Sequence, residues 1–475
     1  MDWNLATDST SHDVIINIME GLTQYDENLR PVPAVAQGWQ VFGKRVVFNL
    51  RRDVYWSDGV PVTAHDFEYS WKRLLNPKTA AEYAYFLYDL EGAEEYNTGK
   101  IKDPSKVGVR ALDDYTLEVR LKHPVPYFLS ITTFMVTYPM RRDVVERYGD
   151  GWTEPGRIVT NGPFKLAEWR HENKIVLAPN PRYYGERPRL KRVEMFMINE
   201  ASTALSLYEK GELDIADGRS IPATEIPRLR ARPDYRNMPM LRGNYIGFNV
   251  TKPPFNDVRV RRAFAMAIDR RVFPKVLKGG EVPTTSWVPP ALLGHNPDVG
   301  IRFDPEGARR LLAQVGSLPP VKLYYNTDEN NRLVAEALQA MWKENLGVEV
   351  KLINQEWKVY LKTLNTDPPQ LFRLGWSADF PDPDNFMNLF TSQSGNNNTR
   401  WGDGRYDELI RRAASQMDEK VRASLYTQAQ RLLLEEGVAI VPLFFTSQSV
   451  MIKPHVRGFW LNPMGILRLK TVSMG

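Results

Sequence analysis

The residues whose types and spacing best suit chemistry lie in one run, Leu371-Phe-Arg-Leu-Gly-Trp-Ser-Ala-Asp-Phe-Pro-Asp-Pro-Asp-Asn-Phe386. Apolar and aromatic residues from Leu371 to Trp376 predict a strand, and its pleat sends alternate side chains to opposite faces. Arg373, Gly375, Ser377 and Asp379 then share one face, and Phe372, Leu374 and Trp376 share the other. The first face carries a cation, two small residues and an anion, in that order. From Arg373 to Asp379 the chain spans roughly 20 Å at about 3.3 Å per residue. Between them, Gly375 and Ser377 leave backbone N–H and C=O groups uncovered, where another extended chain can lie. This suits a short peptide with its amino end at Asp379 and its carboxylate toward Arg373. An edge strand with two solvated charges has the same pattern.

Other chemistry finds little support. The six histidines, His12, His65, His123, His171, His295 and His455, are far apart and lack metal-ligand spacing. There is no G-x-S-x-G elbow, no phosphate-binding loop and no dinucleotide fingerprint. Asp379, Asp382 and Asp384 invite a hydrolase pair or a calcium loop. Pro381 and Pro383 stiffen that loop, however, and the glycine and late glutamate of a calcium loop are missing. The absence of cysteine excludes disulfides, thiolate metal sites and cysteine nucleophiles. No catalytic group, metal or cofactor is therefore expected. Twelve tryptophans and twenty-one tyrosines suggest binding surfaces as well as core, with Trp357, Trp376, Trp401 and Tyr83 as wall positions.

These residues must be positioned by a large α/β framework. A chain of 475 residues is too long for one core and implies two or three domains. Its net charge of +5, from 62 basic and 57 acidic residues, is spread without a basic tract, which argues against nucleic acid. The apolar run from Gly437 to Phe445 is too short to span a bilayer. Pattern and capping predict a helix from Asp13 to Glu20 stopped by Gly21, strands over 37–41 and 45–50, and a helix capped by Thr63. Strands follow at 116–121, 174–178, 193–198 and 213–216, with a helix over 202–211. Asn256 is the expected cap of an amphipathic helix to Arg270, burying Val260, Ala263, Phe264, Ala267 and Ile268 and turning its arginines to solvent or to another domain. Beyond it come a strand at 321–325, a helix at 331–346, a strand at 348–353, helices at 406–417 and 420–436, and a buried strand at 439–445.

Five blocks in order carry a family resemblance: Trp56-Ser-Asp-Gly-Val-Pro-Val-Thr-Ala-His-Asp-Phe-Glu-Tyr-Ser-Trp71, Ile158-Val-Thr-Asn-Gly-Pro-Phe164, Lys252-Pro-Pro-Phe-Asn-Asp-Val-Arg-Val-Arg261, Asn354-Gln-Glu-Trp357 and Gly375-Trp-Ser-Ala-Asp379. Over essentially its whole length the chain resembles the peptide-binding receptors of bacterial ABC transporters, the family 5 extracellular solute-binding proteins, in their oligopeptide-binding branch. The resemblance implies a three-domain periplasmic binding protein clamshell, type II-like, with mixed sheets, flanking helices and a discontinuous first domain. Domain I would comprise 1–19, 143–241 and 447–475, domain II 20–142, and domain III 242–446. It further implies an exported, periplasmic or cell-surface monomer without membrane insertion, cofactor or catalysis. Such a protein closes on peptides of about two to five residues and delivers them to permease subunits. An export signal and the first strand of domain I would lie upstream of Met1.

Carried over by position, the resemblance implies that Asp379 holds the peptide ammonium and Arg373 its carboxylate. Gly375 to Ser377 would pair with the peptide backbone, and Thr7, Asp8 and Ser9 would pair from the opposite side. Pocket walls fall on Tyr83, Asn249, Asn326, Trp357, Leu361, Trp376, Asn398 and Thr399, and a second carboxylate cation on Lys278 or Lys275. Departures include Asn331 for a histidine, Leu364 for an arginine, Phe444-Phe-Thr446 for a tyrosine-rich segment, and the missing disulfide. Within the same family the alternatives are receptors for dipeptides, murein peptide or metal chelates. Outside it they are a peptide-sensing signalling protein or a peptidase.

Overall fold

The computed structural model describes all 475 residues, and the side chains of all except Arg219 and Ala223. The chain forms two compact units, Met1–Ile215 with Ile452–Gly475, and Ala216–Met451.

In the first unit, helix α1 (Ser9–Ile18) begins earlier than the expected Asp13, because the Asp8 side chain accepts a hydrogen bond from the Ser11 N–H at 2.8 Å. Met19, rather than Gly21, is its C-cap. Gly21 has a different role: a Cβ there would lie 2.7 Å from the Thr132 carbonyl and 2.8 Å from the Tyr138 ring. Strands β1 (Ala36–Phe42), β2 (Arg45–Leu50), β3 (Val109–Asp113) and β4 (Thr116–Arg120) form an antiparallel sheet in the order β1–β2–β4–β3. Helix α2 (Ala64–Leu75) packs on it through the buried Phe67, Trp71 and Leu74. Thr63 caps this helix as expected, and the Asp66 carboxylate closes the turn by accepting from the Thr63 N–H at 2.8 Å. A second antiparallel sheet follows, β5 (Phe164–Arg170), β6 (Lys174–Pro179) and β7 (Val193–Phe196). Then comes α3 (Ala201–Lys210), ended by the left-handed Gly211. Buried Glu20 accepts from Tyr183, Tyr184 and Lys470, joining the terminal segments. Burial opposes its charge, but the Lys470 ammonium and the tyrosine hydroxyls hold its pKa below the ordinary glutamate value.

The second unit is built on one mixed sheet. Its five long strands are β8 (Tyr235–Phe248), β9 (Val321–Asn326), β10 (Val350–Gln355), β11 (Leu371–Ser377) and β12 (Ile440–Ile452), in the order β12–β8–β11–β9–β10, and two two-residue strands pair with β12. β8 is antiparallel to both β11 and β12, whereas β9 is parallel to β10 and β11. Parallel neighbours require crossovers, supplied by α5 (Glu329–Leu346) and α6 (Trp357–Thr366). Helix α4 (Val258–Met266) precedes them, and α7 (Gly404–Ala414) and α8 (Glu419–Arg431) follow. The five apolar positions expected on the α4 face, Val260 to Ile268, are fully buried.

Two details of that region correct the sequence reading. Asp257 caps α4, accepting from the Arg259 N–H at 2.8 Å, and Asn256 does not. Arg261 and Arg270 are not solvated. Arg261 donates to the carbonyls of Phe255 and Gly437, each at 2.6 Å, and Arg270 to those of Pro442 and Ile301. Those carbonyls supply the acceptors that buried guanidinium groups require, while burial lowers both pKa values to about 10.

Candidate functional site

β11 is an interior strand along its first residues and an edge along its last. On one side β8 pairs with all of it, from Phe248↔Leu371 to Arg242↔Ser377. On the other, β9 pairs only at Leu323↔Leu371 and Tyr324↔Phe372. The Tyr360 hydroxyl of α6 stands where the two strands separate, donating to the Arg373 carbonyl at 2.5 Å and to the Tyr324 carbonyl at 3.3 Å. The Ala378 N–H donates to the Leu241 carbonyl, so the alternation of a strand turns the N–H and C=O groups of Gly375 and Ser377 away from β8. Among the described residues no strand pairs with those groups. They form a short open edge.

At one end of this edge is Arg373, which is 8 % exposed. Its Nη2 donates to the Asn244 Oδ1, and its buried Nε has no hydrogen-bond partner. Among the described residues it makes no ion pair within 4.0 Å. Burial first, then the neighbouring charge of Arg242, lower its pKa to about 10. The guanidinium thus stays charged at neutral pH. Asn244 lies across Gly375, where a Cβ would approach Asn244 Oδ1 to 3.2 Å, and its amide donates to Thr446 Oγ1 at 2.8 Å. Glycine at 375 therefore makes room for the side chain that holds Arg373.

At the other end, Asp379 follows the strand in a braced loop. Asn385 Oδ1 accepts from the Asp379 N–H at 3.0 Å and from Trp376 Nε1 at 2.9 Å. The loop is fixed further on by Arg422, which donates to both Asp382 carboxylate oxygens at 2.7 Å, and by Tyr426, which donates to Asp384 at 3.1 Å. Asp382 and Asp384 thus tie the loop to the Arg422 and Tyr426 side chains of α8.

The remaining expected site residues separate into groups. Trp357 opens α6 at 45 % exposure, with Leu361 one turn later, on the helix that carries Tyr360. Asn326 ends β9, held by Asn331 Nδ2 at 2.9 Å. These three belong to the elements flanking the open edge. Asn249 donates to the Pro368 carbonyl and accepts from Thr251, and Thr399 donates to Asn397, so both fully buried side chains shape loops near Leu371. Asn398 is also buried, bonded to the Asn396 carbonyl. Trp401 is core, against Tyr406. Lys278 ends the helix Phe273–Leu277 in a left-handed conformation with its side chain exposed, and its carbonyl accepts from Arg230.

In the first unit, Thr7 and Asp8 precede α1, Asp8 with an extended backbone, and Ser9 is its first helical residue. Tyr83 packs in an aromatic cluster with Tyr85, Phe86 and Phe134, and His12 of α1 stacks on Phe134. Burial pushes the His12 pKa down to about 4. Sequence reasoning missed Asn244, Tyr360 and Asn385. Each acts through a cross-strand or loop contact that no local pattern announces.

A strand edge left open beside a buried cation offers an extended ligand both backbone pairing and a counter-charge. Residues 30–398 match the model of the bacterial extracellular solute-binding proteins, family 5, middle region, and the chain belongs to that family. It is 35% identical over 474 residues to the oligopeptide-binding protein OppA of Bacillus subtilis, covering 96% of this chain and 87% of that one. It is 36% identical to the periplasmic oligopeptide-binding protein OppA of Escherichia coli, over 93% and 84% of the two chains. Among solved structures, Haemophilus influenzae OppA in complex with the peptide RPPGFSPFR superposes with a TM-score of 0.84 at 32% identity, covering 100% of this chain and 96% of that one.

Proposed function

We propose that this protein is the substrate receptor of a peptide ABC importer, binding short extended peptides and presenting them to membrane permease subunits. The observation that carries this reading is the open edge at Gly375 and Ser377, with an unpaired buried cation, Arg373, at one end and Asp379 at the other. A peptide laid antiparallel to β11 pairs its backbone with that edge, which gives affinity independent of its side chains. Its terminal carboxylate answers Arg373 and its ammonium answers Asp379. Trp357, Leu361, Trp376 and Asn326 are the walls we assign around it in the second unit. The relatives named for oligopeptide binding support a peptide ligand, and we assign it a length of two to five residues. The three-domain division at residues 19, 142, 241 and 446 belongs to the same proposal, as do export to the periplasm or cell surface, a monomeric state and binding without turnover. No helix among the described residues is long and apolar enough to cross a membrane.

Calorimetric titration with trialanine and N-acetyl-trialanine tests the reading. Trialanine should bind tightly and the acetylated peptide should not, because acetylation removes the charge that Asp379 answers. Asp379→Asn should weaken trialanine binding by roughly 3–5 kcal/mol, as for one broken buried pair. Equal affinity for the two peptides would refute it.

A further inference from the structure

We propose that Arg242 is a second anion-binding group of this site and selects peptides that carry an acidic side chain. The proposal deepens the peptide-receptor reading and rests on it. Arg242 lies on β8 directly opposite Ser377. Because Ala378 and Leu241 are the hydrogen-bonded pair, Arg242 and Ser377 form the next, non-hydrogen-bonded pair, in which side chains stand closest on a shared face. That face also carries Asn244, Gly375 and Arg373. The small residues at 375 and 377 leave it low, so the arginine can reach over the edge that the peptide backbone would occupy.

Charge balance gives the ligand class. The face presents two guanidinium groups, with one carboxylate, Asp379, beyond its end. A peptide with neutral side chains brings one ammonium and one carboxylate, which answer Asp379 and Arg373 and leave Arg242 without a ligand anion. An aspartate or glutamate side chain supplies the third charge. Arg373 cannot take both anions, since it is buried and already held by Asn244. Asp328 is an electrostatic neighbour of both arginines, yet its carboxylate caps α5, accepting from the Asn331 N–H at 3.0 Å. Among the described residues it is not within 4.0 Å of either guanidinium. Arg242 keeps solvent access that Arg373 lacks, although burial lowers its pKa as well, and that access suits a group meeting side chains that vary between peptides. Ser377 is closer along the strand to Asp379 than to Arg373, so the acidic residue belongs in the amino-terminal half of the peptide.

The test is titration calorimetry on the full chain with Glu-Ala-Ala, Ala-Glu-Ala and Ala-Ala-Glu, each against its glutamine twin. The native protein should favour glutamate by roughly tenfold at the first or second position, and less at the third. The glutamate-to-glutamine ratio should fall to about one in Arg242→Gln and survive in part in Arg242→Lys. General loss of binding cancels in that ratio. No glutamate preference in the native protein, or one that persists in Arg242→Gln, overturns the proposal. Failure of the native protein to bind trialanine is a different result: it removes the receptor reading, and this proposal with it.

Discussion

Arg373 and Arg422 are both buried cations of the second unit, 8 % and 4 % exposed, and the protein treats them in opposite ways. Arg422 is given an anion. It clasps Asp382 with two bonds and donates to the Ala413 carbonyl and the Tyr426 hydroxyl. Burial opposes its charge, but Asp382 outweighs burial and raises its pKa above the ordinary arginine value. Arg373 receives one amide oxygen, keeps an unbonded Nε, and has its pKa lowered. An ion buried without its counter-ion costs several kcal/mol, whereas a well-formed buried pair recovers most of that penalty. The first arginine completes itself within the chain and fixes the loop that presents Asp379. In the proposed reading Arg373 is half of a pair whose other half is a ligand carboxylate. Arg261 and Arg270 show that burial alone does not mark a site, since backbone carbonyls satisfy them.

The comparison makes separable predictions. Asp382→Asn strands Arg422 and should lower unfolding stability by about 3–5 kcal/mol in urea titrations. It should also weaken trialanine binding, because the Asp379 loop loses its brace. Arg373→Met should do the reverse, weakening trialanine by about 2–5 kcal/mol in calorimetry while leaving stability unchanged or raised. A stability loss matching that of Asp382→Asn would erase the distinction between the two arginines.

The smallest effect concerns pH. Arg373, at about 10, holds its charge through pH 9, so the pH dependence of binding above neutrality comes from the peptide ammonium. Pairing with Asp379 raises that group's pKa in the complex. The contribution is therefore full below the free-peptide value near 8 and is lost as pH rises through the bound value, giving about tenfold weaker binding at pH 9 than at pH 7. Affinity that is flat across this range would place the ammonium elsewhere.

Much of the fold was legible locally. Helix caps at Thr63 and the alternation of β11 follow from side-chain reach and backbone pleat within a few residues. So does the buried stripe of α4, which needs only a repeat of 3.6 residues. Local pattern failed where a longer-range contact competes. Gly21, expected as a helix stop, is small because Thr132 and Tyr138 press against it.

The sequence by itself determined which residues share the face of β11, the order of charge and small residues along it, and the family to which the chain belongs. Tertiary structure alone decided that this strand is interior at Leu371 and open at Ser377, because that depends on where β9 leaves it. It also decided that Arg373 is buried with an amide from 129 residues away, and that Arg242 stands opposite Ser377. Pairing across a sheet is set by register between distant segments, and burial by the summed packing of many. Neither is a property of a few adjacent residues.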